Sequence, residues 1–447
     1  MGINMKWYFI LVVIFLTACK TTQQTGSTST PIYVPKTDKE VIAPSKQEQK
    51  EAIKEEKEKI DSIKEMIEKE KEIPSKETKG GKSSYNIAVV LPFMTDKVPL
   101  DYTPYQIKTD IDLSPEIMNN LDFYMGLKLA VDDFKKKGSN YNVFVLDDVN
   151  SDDQDKKIIS ERPFPDIDII ISGTDKRISK DILNFSETNK IPFYSPFATD
   201  ISQYSSSYFH TSIPNIINQV AQLFDYIYPQ IPEAPIYIIQ EENTDSARMA
   251  VKTVENFIKK TYNVAPVIIT NTQVTVNELG ETISFFNPTS TSIVFVPSNS
   301  SAYVKTLLPK LYASPFPVYI LGMPSWSNMR GLENSTQPQP DIFIPVFETS
   351  KKSKSDLENF SSRFINEFQK DENENVYLGY DLMTYILNGL EKNKIWDNPT
   401  STDLGIQPYY YGFDFSPIMK NNRIQFYSNN KVSIYKYEKG KFANITP

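Results

Sequence analysis

One cysteine and one histidine in 447 residues exclude more chemistry than any motif in this chain supplies. With Cys19 alone, no intramolecular disulfide forms and no thiolate metal site can be assembled. With His210 alone, His-clustered zinc sites, Ser-His-Asp triads and Cys-His pairs are all ruled out. A G-x-S-x-G turn and a phosphate-binding P-loop are missing too. The 56 acidic residues leave room for a carboxylate-only hydrolase, but no spacing marks out a pair for one. Basic charge is in deficit. With 48 Lys and Arg the formal net charge is −8, the opposite of the footprint that nucleic acid requires. These absences predict a protein that is not an enzyme, uses no cofactor and no metal, and does not bind nucleic acid.

Long apolar runs are also lacking. The longest, residues 7–16, falls short of the ~20 residues that span a bilayer but suits a signal-peptide core. It ends in Leu16-Thr17-Ala18-Cys19, which resembles the bacterial lipobox. That resemblance implies cleavage before Cys19, lipidation of its thiol and acylation of the new amino group. An ordinary signal peptide with a chance cysteine is the alternative. Two or more acyl chains, at ~0.8 kcal/mol per buried CH₂, make an anchor durable. Lys20 is not the Asp that retains many lipoproteins at the inner membrane, so the outer membrane is favoured, with the protein facing the periplasm.

Residues 1–18 are thus expected to be a signal peptide and 19–84 a lipid anchor with a charged tether. Up to Ser45 the tether is Thr, Ser, Gln and Pro, too polar to bury a core. From Lys46 it is Lys/Glu-rich, with Ile53, Ile60, Ile63 and Ile67 at helical spacing. Either a short coiled coil or a solvated single helix fits, and so thin a seam favours the single helix.

At Tyr85 the text changes. Continuous apolar runs recur at 87–91, 143–146, 167–171, 236–239, 267–269, 293–296, 318–321 and 342–346, as expected of strands buried on both faces. Amphipathic helices lie between many of them. Ile117, Leu121, Tyr124, Leu127, Val131 and Phe134 form one stripe, Ala247, Val251, Val254 and Ile258 a second, and Leu357, Phe360, Phe364 and Phe368 a third. Strand alternating with helix predicts an α/β protein of two doubly wound lobes with parallel sheets around a cleft. The expected boundaries are 85–212 for the first part of lobe one, 213–344 for lobe two, and 345–447 for the return to lobe one with a C-terminal hairpin region. Residues 424–427 and 432–437 read as that hairpin, turning at 428–431.

The ordered set of segments resembles the type I periplasmic binding proteins. Ile87 to Pro92 followed by Gly126-Leu127-Lys128-Leu129-Ala130-Val131-Asp132 is similar to that family's first strand and helix. Residues 143–148 with Asp152-Asp153-Gln154, then 167–173, Ile191-Pro192-Phe193-Tyr194-Ser195-Pro196 and Phe209-His210-Thr211 follow in family order. Leu378-Gly379-Tyr380-Asp381 matches the family's "YD" helix. The resemblance implies an amino-acid or amide ligand clamped between lobes, delivered to an ABC permease. By position it places ligand contacts at Thr95 and Asp96, Thr174 and Asp175, and Ser195 and Phe197 in lobe one. In lobe two it places them at Gln240 and Glu241 and at Ser298 and Asn299, with Met323 nearby.

Two departures bear on that site. Residues 94–118 form a long glycine-free loop where amino-acid binders have a short small-residue turn, and the helix after Asp152 stops before Pro163. Both also suit the lipid-anchored outer-membrane activators of peptidoglycan synthases (the LppC type), which share the fold and act by contact. The expected function is small-ligand binding for uptake or sensing. The alternative is an envelope-assembly regulator that meets a peptidoglycan synthase. Among single residues, His210 is read as a hinge histidine bonded to a backbone carbonyl. Asp147, Asp148, Asn150 and Asp152 fail the EF-hand pattern at Asp153 and Ile159 and are read as a solvated turn. Tyr409, Tyr410 and Tyr411 are read as packing within the hairpin region, and Trp326 as core.

Overall fold

The computed structural model describes residues 84–446 apart from several segments, the longer of which are 98–112, 271–285, 333–339 and 393–405. The expected signal peptide, Cys19, the tether through residue 83 and most of the 94–118 loop lie outside the described residues. The chain divides into units Met1–Ile73 and Pro74–Pro447, and every described residue belongs to the second.

Chain order begins β1 (Tyr85–Leu91), α1 (Pro115–Lys136), β2 (Tyr141–Asp147), α2 (Asp152–Ser160), β3 (Ile169–Ser172), α3 (Lys180–Asn189), β4 (Phe193–Ser195) and β5 (Phe209–Thr211). It crosses through α4 (Ile216–Ile227) into β6 (Ile236–Gln240), α5 (Asp245–Tyr262), β7 (Val267–Thr270), β8 (Ser292–Phe295), α6 (Ser301–Tyr312), β9 (Val318–Leu321) and β10 (Asp341–Val346). It then returns as α7 (Lys354–Phe368), α8 (Glu374–Glu391), β11 (Phe415–Lys420), β12 (Arg423–Asn429), β13 (Ser433–Glu438) and β14 (Lys441–Asn444). Two seven-stranded sheets result, ordered β11-β12-β5-β4-β3-β1-β2 and β14-β13-β10-β9-β8-β6-β7. Among the described residues only β11–β12, β10–β13 and β13–β14 pair antiparallel.

The unbroken apolar run of β1 follows from its central place. Ile87, Val89 and Leu91 join the core shared with α1 and α8, whereas Ala88 and Val90 join the core on the α3 side. The second sheet carries one continuous core with α4, α5 and α6. The helix ends obey local chemistry. Ser114 caps α1 by accepting from the Ile117 amide, with Pro115 at the first position, and Ser353 with Asp356 forms a capping box on α7.

The expected α/β architecture of two doubly wound lobes is present, but the expected hairpin is not. β12 pairs with β5 and β11, and β13 pairs with β10 and β14, so residues 430–432 cross between lobes. The segment 345–447 therefore does not return wholly to lobe one, because β13 and β14 extend the second sheet. Side-chain amides do here what a hairpin ladder would have done. Asn429 Nδ2 donates to the carbonyls of Ser212 (2.8 Å) and Gly412 (3.1 Å), and its Oδ1 accepts from the amides of Asp414 and Lys431. Asn218 Nδ2 donates to Ser428 Oγ and Asn430 Oδ1. The polar text at 428–431 is a fastened crossing, not a turn.

Candidate functional site

In doubly wound sheets ligands bind outside the carboxyl ends of the strands. β5, β10 and β12 leave their sheets at those ends to make the crossings, so both sheets turn their carboxyl ends toward the crossings. The residues expected at the ligand fall at these ends, and the structure engages several of them elsewhere.

In the turn after β1, Thr95 donates to Asp147, through its amide at 2.7 Å and its hydroxyl at 2.6 Å. The amides of Phe93, Met94 and Val149 donate to the other oxygen of the same carboxylate. Asp96 is exposed. After β3, Thr174 Oγ1 accepts from the amides of Lys176 and Arg177, and the Thr174 amide donates to the Arg177 carbonyl at 2.8 Å. Asp175 is exposed. Arg177, which no sequence motif marks, donates to Asp148 and Asp152 and contacts Asp155. Burial raises the carboxyls of Asp148 and Asp155 above their ordinary value, while Arg177 lowers that of exposed Asp152. The acidic stretch expected to be a solvated turn is thus half structural: Asp147 ties down one turn, and Asp148 and Asp155 are buried against a guanidinium.

Ser195 is different. It lies in a row with Thr211 of β5 and Ser428 of β12, and Ser172 of β3 continues the row. All four are buried, yet the hydroxyls of Ser172 and Ser195 have no partner, and neither has that of nearby Ser212. Phe197 is half-buried and packs edge-on against Phe123, with ring centroids 5.3 Å apart, on the lobe-one core.

In lobe two, two of the expected residues, Glu241 and Ser298, meet. Ser298 Oγ donates to Glu241 at 2.7 Å, and Trp326 Nε1 donates to the Ser298 carbonyl at 2.8 Å. Ser325 Oγ donates to Asn299 Oδ1 at 2.6 Å. Gln240, Ser298 and Met323 are buried, and Glu241 and Asn299 are exposed. Trp326 is fully buried against Gly322, where a Cβ would come within 2.4 Å of the indole, so it is core as expected.

His210 is buried in an aromatic ladder. Its ring stacks between Tyr194 (4.5 Å) and Tyr427 (4.9 Å), its register partners on β4 and β12, and Nδ1 is 2.9 Å from the Tyr208 carbonyl. Burial pushes its pKa down to about 4, against two backbone carbonyls that favour the proton. The unfolded imidazole titrates near 6.5, so between 6.5 and 4 the unfolded chain binds the extra proton. Stability is then full above pH 6.5 and declines as pH falls toward 4, by about 3 kcal/mol in all. We expect His210→Phe to flatten that limb of the stability–pH curve in denaturant titrations at stepped pH; an unchanged slope would locate the acid sensitivity elsewhere.

Asp381 of the "YD" helix is an anchor, not a ligand contact. Its carboxylate accepts from the amides of Tyr409, Tyr410 and Tyr411 at 2.7–2.8 Å. Burial pushes this carboxyl up to about 7, while the three donors favour the ionised form. Those tyrosines pack on helices, Tyr409 against Phe360 and Tyr410 against Tyr377, instead of within a hairpin.

No family model matches this chain, and no curated protein matches it. Solved structures do. A branched-chain amino acid ABC transporter protein from Rhodospirillum rubrum superposes with a TM-score of 0.52 at 11% identity, over 81% of this chain and 100% of that one. An ABC transporter substrate-binding protein from Desulfitobacterium hafniense, solved with Leu, gives 0.44 at 15% identity over 81% and 100%. A solute-binding protein from R. palustris, solved with benzoate, gives 0.38 at 12% identity over 81% and 95%. At such identities the likeness speaks for the fold alone. Two seven-stranded, mostly parallel sheets joined by three crossings, superposable on such a transporter protein, give this chain the fold of the type I periplasmic binding proteins.

Proposed function

We propose that this chain is a lipid-anchored, extracytoplasmic protein that binds a small polar ligand between its lobes, for uptake through an ABC permease or for sensing. Cys19 carries the lipid, and the outer membrane is its site. The observation that supports ligand binding most is the set of unpartnered hydroxyls at adjacent strand ends, Ser172 and Ser195, with Ser212 beside them. Leaving a buried hydroxyl unpaired costs about 1–3 kcal/mol, and a polar ligand or water would remove that cost. Across the cleft, Gln240, Glu241, Ser298 and Asn299 supply the second half of the contact, with exposed Asp96 and Asp175 at the rim of the first. Thr95 and Thr174 serve by shaping their turns, and Phe197 by packing. No catalytic step is assigned to any of these groups.

A second reading has its own support. The amides after β1 and the Arg177 guanidinium are occupied by Asp147, Asp148, Asp152 and Asp155, as expected of a contact platform that delivers nothing. The test is thermal unfolding of residues 74–447 against amino acids, amides, short peptides, sugars and muropeptides. A true ligand at 100 times its Kd stabilises by about 2.7 kcal/mol, which moves the midpoint visibly. A shift confined to one compound class supports the receptor reading and names the class. Silence across the panel rejects uptake of those classes and favours the regulator.

A further inference from the structure

We propose that the turn after β1 is a carboxylate-binding cradle and that Asp147 is its resident ligand, keeping free carboxylates out of that turn. Three successive amides, Phe93, Met94 and Thr95, converge on one carboxylate with the Val149 amide and the Thr95 hydroxyl, at 2.6–3.2 Å. Met94 sits at φ 55, the left-handed conformation that lets consecutive N–H groups point to one spot. Both carboxylate oxygens are used: Oδ1 takes the Phe93, Met94 and Val149 amides, and Oδ2 takes both Thr95 donors. Burial alone would raise this carboxyl, but the Thr95 hydroxyl and the amides outweigh it and hold it below its ordinary value. The arrangement is that of an anion in a site, with the anion supplied by the end of β2.

Access is open. Thr95 is exposed and Asp147 half-buried, so a solute the size of formate can reach the donors once the side chain is gone. Asp147 therefore acts as a specificity determinant. While it is present, a ligand carboxylate cannot be taken by the first turn and must be held elsewhere or be absent from the ligand. This inference stands whether or not the cleft binds anything, because its test reads only the cradle.

The experiment is chemical rescue of the full chain carrying Asp147→Ala. Its unfolding midpoint is expected to drop and then to climb back toward wild type as formate is added, saturably, with bulkier carboxylates less effective. Wild type should respond to formate no more than to sodium chloride at equal ionic strength. A variant that gains nothing from formate beyond the chloride control overturns the proposal. Should D147A not fold, the titration is run on D147S, whose short side chain leaves the carboxylate position vacant. A saturable gain confined to that variant supports the cradle, and its absence overturns it.

Discussion

Replacing Arg177 with methionine is expected to destabilise the protein by about 3–5 kcal/mol at neutral pH, because it strands two buried carboxylates. The guanidinium lies 3.1 Å from Asp148 and against Asp155, which are 4% and 0% exposed. Methionine fills the volume but leaves both charges without a counter-ion. Exposed Asp152, though 2.7 Å away, contributes little to the loss because water already solvates it. The pH dependence has a definite sign. Burial already raises both carboxyls above 3.8, and losing the cation raises them further. The folded variant then binds protons that the unfolded chain releases, so its deficit against wild type shrinks as pH falls from neutral toward the ordinary carboxyl value of 3.8. His210 is common to both proteins, so its opposite contribution cancels in that difference. Adding Asp155→Asn to the variant should return part of the loss, since removing both members of a buried pair costs less than removing one. Urea titrations of the three proteins at two pH values check this. A deficit below ~1 kcal/mol that ignores pH would mean the native carboxylates are not both charged.

Arg177 also shows where the sequence became illegible. The strands of both sheets were readable because central parallel strands must be apolar on both faces, so β1, β6 and β9 stand out as unbroken runs. The partners of polar side chains were not readable, since they come together across long stretches of chain: 22 positions for Arg177 and Asp155, 82 for the Asn86 amide and Asp168, and 210 for Asn218 and Ser428. One clue was available. The chain has six arginines among 48 basic residues, and so sparing a use of the forked guanidinium marks positions where geometry matters. Two of the six bear that out, Arg177 among its aspartates and Arg363, which donates to Asp133 and to the Leu129 carbonyl. The false hairpin has a similar cause. Period-2 alternation identifies a strand but says nothing of its partner, and 424–427 and 432–437 found theirs in different sheets. The candidate site was legible only as a set of strand ends. Which of those ends the chain had already occupied with its own carboxylates depended on tertiary contacts.

The glycines of the two helical motifs mark one contact, and filling it should be among the most damaging small changes available. Gly126 of α1 and Gly379 of α8 face each other where the helices cross. A Cβ on Gly126 would sit 1.9 Å from the Val376 carbonyl oxygen, and one on Gly379 would sit 1.9 Å from that of Phe123. Both obstacles are backbone, so no rotamer change relieves them and the helices must move apart. Elsewhere in a helix, alanine for glycine gains about 1 kcal/mol of propensity. Here we expect Gly126→Ala to cost a net amount at the upper end of the 1–3 kcal/mol typical of overpacking, or more. Separation also loosens what the crossing aligns: Asp122 of α1 with Lys370 and Asn373, and Tyr380 of α8 with Asp133 at 2.8 Å. Because the two glycines share one gap, G126A and G379A should be strongly non-additive, the second costing little once the first has forced the helices apart. Denaturant midpoints of the singles and the double measure this. Additive losses would mean that each glycine meets its own independent obstacle, and a net gain from either would mean that the helices cross further apart than this.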